Sequence, residues 1–167
     1  DPAANHILDA EVVGDVLIIS AMLQGIEFYN ISNSSNLNHL ANFNLSSGGG
    51  GGGGIKSNCV RAIGDYAYFT SSNGLYVVNI ANPSNPQNQG VVSGTNNLIL
   101  ENLDLEENIL AVCAHEDGVM LYDISSPSNP FHTATINADN AWAVALDEQF
   151  IYIGSDNQII IADIGDI

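Results

Sequence analysis

The sequence predicts an all-β fold, a β-propeller-like array of four repeats with the last blade incomplete, and three observations point there. Two short motifs recur four times at an interval of about 42 residues, the length of a four-stranded propeller blade. Within each repeat, short apolar runs alternate with clusters of Gly, Asn, Asp, Ser and Pro, the pattern of strands joined by tight turns. No stretch sustains a 3.6-residue apolar period with capping residues, so helix is expected to be scarce. The 167 residues read as one propeller-type domain, 1–167, with units at about 6–54, 55–97, 98–140 and 141–167.

The first motif is a polar turn before an apolar strand. It reads Gly14-Asp15 before Val16, Gly64-Asp65 before Tyr66, Glu107-Asn108 before Ile109, and Glu148-Gln149 before Phe150. From Asp15 it recurs at intervals of 50, 43 and 41. The second motif opens on a turn residue and ends on Asn or Asp followed by Ile: Gly25 to Asn30-Ile31, Gly74 to Asn79-Ile80, Gly118 to Asp123-Ile124, and Gln158 to Asp163-Ile164. Its intervals are 49, 44 and 40. Seven consecutive glycines at 48–54 account for the long first interval. They read as a flexible loop insertion, because a strand-turn-helix context that would make the run a phosphate cradle is missing.

Unit two shows its strands most clearly, at 59–63, 66–70, 75–80 and 89–92, with Ser72-Asn73-Gly74 as a hairpin turn. The segments Gly74-Leu75-Tyr76-Val77-Val78-Asn79-Ile80-Ala81-Asn82-Pro83-Ser84-Asn85-Pro86 and Gly118-Val119-Met120-Leu121-Tyr122-Asp123-Ile124-Ser125-Ser126-Pro127-Ser128-Asn129-Pro130 resemble the LVIVD repeat. That family's units read Gly-Leu-x-Val-x-Asp-Ile-x-x-Pro-x-x-Pro. The resemblance implies a β-propeller carried on exported or cell-surface proteins, and it brings no catalytic residues with it. In unit one, Ser34 and Leu37 stand where the prolines belong, and unit four stops at Ile167 before that segment.

An incomplete last blade leaves an unpaired sheet edge, which proteins normally cover. A strand-addition edge at His6, Ile7 and Leu8 would cover it within the chain and close a four-bladed ring. The rivals are two chains combining into a larger ring, or a piece of a longer propeller; the start Asp1-Pro2 without Met reads as processed or excised.

Only Lys56 and Arg61 are basic against 19 acids, for a net charge of −17. Such a surface repels phosphate backbones and anionic lipid, so nucleic acid is excluded as a partner. The longest apolar runs fall far short of the roughly 20 residues that span a bilayer, so membrane insertion is not expected. Protein partners or self-association remain. Cys59 and Cys113 lack a C-x-x-C spacing, and whether they pair stays open. Three glycosylation sequons, at Asn30, Asn33 and Asn44, are as many as chance supplies.

Aligning the innermost strands by the first motif places Glu11, Arg61, Asp104 and Ala145 in one column, with Asp9, Cys59, Asn102 and Ala143 two residues earlier on the same face. In a propeller that face lines the central channel. The alternate face, with Ala10, Val60, Leu103 and Val144, is apolar and is expected to pack between blades. Asp9, Glu11, Arg61, Asn102 and Asp104 are therefore the channel and ligand candidates. Arg61 either holds a ligand there or neutralises the carboxylates around it.

His115-Glu116-Asp117-Gly118 reads as a solvated hairpin tip and Trp142 as a packing residue. The four histidines show no zinc spacing. No cofactor is expected; Ca2+ remains open on the strength of the loop carboxylates alone, without an EF-hand loop. No catalytic motif stands out. The sequence is thus read as a noncatalytic extracellular or cell-surface propeller module for protein binding, adhesion or self-assembly into surface material. The alternative is a small-ligand-binding or enzymatic propeller with its site at the channel mouth.

Overall fold

The computed structural model describes residues 6–21, 25–33, 35–45 and 56–166. The glycine run at 48–54, Asp1-Pro2, Ser34 and Ile167 lie outside the described residues. Among the described residues fifteen strands form four antiparallel sheets, each a meander in chain order. Sheet one comprises β1 (Ile7–Val13), β2 (Val16–Ala21), β3 (Gly25–Asn30) and β4 (Asn38–Phe43). Sheet two comprises β5 (Ser57–Ile63), β6 (Tyr66–Ser71), β7 (Gly74–Asn79) and β8 (Gln87–Val91). Sheet three comprises β9 (Leu103–Glu106), β10 (Ile109–Cys113), β11 (Val119–Asp123) and β12 (Phe131–Ile136). Sheet four has three strands, β13 (Ala143–Leu146), β14 (Phe150–Gly154) and β15 (Ile159–Asp163), followed by a single 3-10 turn, Ile164–Asp166. The missing outer strand and the scarcity of helix are as the sequence predicts.

The two sequence motifs recur because they bond to each other. In every sheet the Ile of the second motif donates its N–H to a carbonyl of the first: Ile31 to Asp15, Ile80 to Asp65, Ile124 to Asn108 and Ile164 to Gln149, each at 2.8 Å. The Asn or Asp before that Ile accepts the N–H two residues on, from Ser32 at 3.0 Å, Ala81 at 3.1 Å, Ser125 at 2.7 Å and Gly165 at 2.8 Å. This Asx turn ends the third strand and starts the chain toward the next element. It explains why the motif tolerates Asn or Asp and little else.

The core lies between sheets. Ile18, Ile26 and Phe28 pack on Val60, Ala67 and Phe69 between sheets one and two. Tyr68, Leu75 and Val77 meet Leu103, Leu110 and Val112 between sheets two and three. Ala111, Val119 and Leu121 meet Val144, Ile151 and Ile153 between sheets three and four. Successive inner strands are neighbours, β1 with β5, β5 with β9 and β9 with β13. The outer faces of sheets one and four are not covered: Val12 is 56% exposed, Ile159 77% and Ile161 60%. The expected apolar packing face therefore holds for Val60, Leu103 and Val144 but not for Ala10, which is exposed because no sheet among the described residues packs on it. Closure into a four-bladed ring by the N-terminal segment is not what the structure shows. Ile7 and Leu8 open β1, with Ile7 paired to Ala21, so they are seated in the innermost strand of their own sheet rather than free to extend sheet four.

Candidate functional site: the inner-strand network and its neighbours

The pleat of β1, β5 and β9 sends alternate residues to one side, and this brings the predicted channel residues together. The Arg61 guanidinium meets Asp9 Oδ2 through Nη1 at 2.9 Å and Asp104 Oδ1 through Nε at 3.2 Å, bridging sheets one and three from sheet two. Its Nη1 also donates to the Val60 carbonyl at 2.7 Å. All three side chains are about three-quarters buried, at 27%, 26% and 23% exposure.

The same carboxylates stitch one sheet to the next through backbone. Asp9 Oδ2 accepts the Val60 N–H at 3.0 Å and the Cys59 thiol at 2.9 Å. Asn102 Oδ1 accepts the Val144 N–H at 3.2 Å, and Asp104 Oδ2 accepts the Leu146 N–H at 2.8 Å. Asn102 also donates Nδ2 to the Cys59 sulfur at 3.7 Å. Glu11 occupies the corresponding position against the Ala62 N–H. An inner-strand N–H that points away from its own sheet needs an acceptor, and the polar column supplies it from the preceding sheet. In sheet four, Ala143 and Ala145 are too short to do so.

Burial raises the Asp9 carboxyl, but the Cys59 thiol, the Val60 and Ala10 N–H groups and the Arg61 charge outweigh it and hold Asp9 below its usual 3.8. For Glu11 burial prevails over Arg61 and the Ala62 N–H, and the carboxyl lies above 4.5. Burial pushes the Cys59 thiol up to about 12, with help from Asp9, and the Cys113 thiol likewise to about 12. Both cysteines are buried and free, so they do not pair.

A second cluster escaped the sequence analysis. The Trp142 indole N–H donates to Asp156 Oδ1 at 2.7 Å and Asn140 Nδ2 to Asp156 Oδ2 at 2.7 Å. His115 packs edge-on against the Trp142 ring at 4.4 Å and its Nε2 meets Glu101 Oε1 at 3.0 Å. The hairpin tip at His115 is thus tied to sheet four rather than simply solvated. Trp142, at 48% exposure, shows a face to solvent rather than serving as core. A cleft of about 340 Å³ opens beside them, lined by His115, Glu116, Asp117 and Asn140. His115 and Asn140 both sit at positive φ, +49° and +50°. Glu101 and Trp142 share one repeat position and His115 and Asp156 another, but the residue types change from unit to unit, so no sequence column marks this cluster.

Among the described residues no group of three or more His, Cys, Asp or Glu side chains is placed to hold a metal ion, and no helix is long and apolar enough to cross a membrane.

The fold is shared widely among solved structures. The RRP9 WD40 repeats match with a TM-score of 0.75 at 14% identity, over 97% of this chain and 49% of that one. The computationally designed Ika4 protein matches at 0.69 and 13% identity, over 96% and 92%. BamB from Moraxella catarrhalis matches at 0.69 and 10% identity, over 91% and 41%. The chain therefore spans about half the length or less of the RRP9 and BamB chains and nearly all of Ika4. No curated protein matches its sequence. A family model of the LVIVD repeat matches residues 54–93 and 138–166. These are the second and fourth units, so the family signal reaches the proline-less last unit, while the third unit, with its Pro127 and Pro130, falls outside it. Four sheets tied by the Asx-turn motif make the chain a β-propeller-type array, and two of its four units match the LVIVD repeat.

Proposed function

We propose that this chain is a noncatalytic, extracellular or cell-surface propeller module that binds protein partners, copies of its own kind included. The observation that carries the reading is a contrast between two surfaces. On the channel side, Arg61, Asp9 and Asp104 are occupied by one another and by backbone. The Cys59 and Cys113 thiols, at about 12, are protonated at neutral pH and poor nucleophiles. At the two ends of the array, by contrast, apolar sheet faces stand open, and contiguous exposed apolar surface marks protein contact. The net charge of −17 turns away nucleic acid, and the repeat family supports an exported location.

A channel-mouth ligand site at Glu11, Arg61 and Asp104 is the competing reading, favoured by the quarter of each Arg61 and Asp104 side chain that solvent still reaches. Light scattering at a low and a high concentration, with thermal melting of wild type and Arg61→Ala, separates the two. The binding-module reading expects a mass that rises with concentration in both chains and a lower melting point for the variant. A wild-type mass fixed at 17.6 kDa contradicts it. Melting raised by calcium chloride in wild type but not in Glu11→Gln would then favour the channel site.

A further inference from the structure

We infer that the occupant of the open end faces is a second copy of this chain: the outer face of sheet four docks on the outer face of sheet one of the partner, and the reciprocal contact closes a ring of eight sheets. The inference rests on the protein-binding reading above and names its partner.

The two faces are halves of an interface that the chain already builds three times. In sheet four, Val144, Ile151 and Ile153 are buried against sheet three, while Ala143, Ala145, Tyr152, Ile159 and Ile161 alternate with them and are exposed. In sheet one, Ile18, Ile26 and Phe28 are buried against sheet two, while Leu8, Ala10 and Val12 are exposed and Leu17 and Ile19 half-buried. Repeat register puts Tyr152, Ile159 and Ile161 where sheet two has Tyr68, Leu75 and Val77, all buried against sheet three. It puts Ala10, Val12, Leu17 and Ile19 where sheet two has Val60, Ala62, Ala67 and Phe69, which pack on sheet one. Sheet four thus ends on the donor side of the interface and sheet one begins on the receiving side.

Tyr152 is the most specific pointer. Its counterpart Tyr68 donates its hydroxyl to the Pro127 carbonyl in the segment after β11, at 2.9 Å, across the boundary between sheets two and three. Tyr152 meets no further sheet among the described residues; it is 36% exposed and its hydroxyl rests on Asp147 Oδ2 at 2.8 Å. Most of the residues on the two faces are uncharged, so the net charge of −17 does not concentrate at the contact. The exceptions are Glu27, held by the Tyr29 hydroxyl, Asp147, held by the Tyr152 hydroxyl, and Asp163, which accepts the Gly165 N–H. The sheets follow the same path as a WD40 propeller, with a TM-score of 0.75 over 49% of that chain. A ring of two copies would remove both open faces at once.

Sedimentation equilibrium tests this with the full chain. Wild type is expected at twice 17.6 kDa. Val12→Asp and Ile161→Asp, each on an exposed position, are each expected to halve the mass. Mixing the two variants is expected to restore part of the dimer, because each keeps the face that the other has lost. Should Ile161→Asp fail to melt cooperatively, Ile159→Ser reads the same face at a 77% exposed position. A monomer at every concentration overturns both this inference and the self-binding reading. An open-ended assembly, or a dimer that only one of the two variants breaks, overturns the ring and leaves protein binding standing.

Discussion

Arg61 is the charge on which three sheets converge. Removing its side chain leaves Asp9, Glu11 and Asp104 facing one another without a counter-charge. Because the pair is only three-quarters buried, Arg61→Ala is expected to cost about 1–3 kcal/mol in urea unfolding, between the exposed and buried ion-pair limits. Arg61→Lys is expected to recover only part, because an ammonium does not span two carboxylates as the guanidinium fork does. The two carboxylates next to it pull pH dependence in opposite directions. Asp9, held below 3.8, contributes stability that is present above the unfolded value and is lost as pH falls through the folded one. Glu11, raised above 4.5, contributes stability that is present below its unfolded value and is lost as pH rises through the folded one. Stability measured against pH is therefore expected to fall less steeply on the acid side in Asp9→Asn, and to decline less as pH rises above 4.5 in Glu11→Gln. An unchanged profile in both variants would remove these groups from the network. The column itself was legible in the sequence, because a repeat anchor fixes which residues share a strand face. Its backbone duties were not, since an N–H that lacks an acceptor leaves no mark on residue type. The Trp142, His115 and Asp156 cluster was illegible for another reason: it joins loops whose approach depends on how two sheets pack.

At the scale of the strand and turn, repetition is enforced by hydrogen bonds rather than by apolar pattern alone. The Ile N–H to carbonyl bond and the Asx turn recur in all four sheets, so the sequence spacing translated directly into strand ends. Gly74 shows how tight the third-strand start is. It sits at φ +116°, and a Cβ there would lie 2.6 Å from the Thr95 carbonyl oxygen and 2.9 Å from Val91 Cγ1. Gly74→Ala is expected to cost more than about 1 kcal/mol in thermal or urea unfolding, from strain and contact together; a neutral effect would mean that the β8 side yields. Across the boundary between sheets two and three, Tyr68→Phe leaves the Pro127 carbonyl without its donor. The expected loss is about 1 kcal/mol, read by the same unfolding measurement.

The whole molecule is an arc of sheets with two unlike ends. The sequence made the count of repeats and the shortened last blade plain, because both are properties of periodic motifs. It left closure open between a four-bladed ring, a joint ring and a longer propeller, because closure depends on the angle between sheets and apolar alternation looks the same on a covered face and an uncovered one. The exposed positions of Val12, Tyr152, Ile159 and Ile161 decide against closure within the chain. Under the proposed function, contacts between molecules form through these end faces and not through the network around Arg61. Hydrogen exchange at a low and a high protein concentration tests it most directly. Amides in Ile7–Val13, Val16–Ala21 and Ala143–Leu146 through Ile159–Asp163 are expected to gain protection as concentration rises, while β6, β7, β10 and β11 stay unchanged. Protection gained instead in the outer strands β4, β8 and β12, or nowhere, would contradict it.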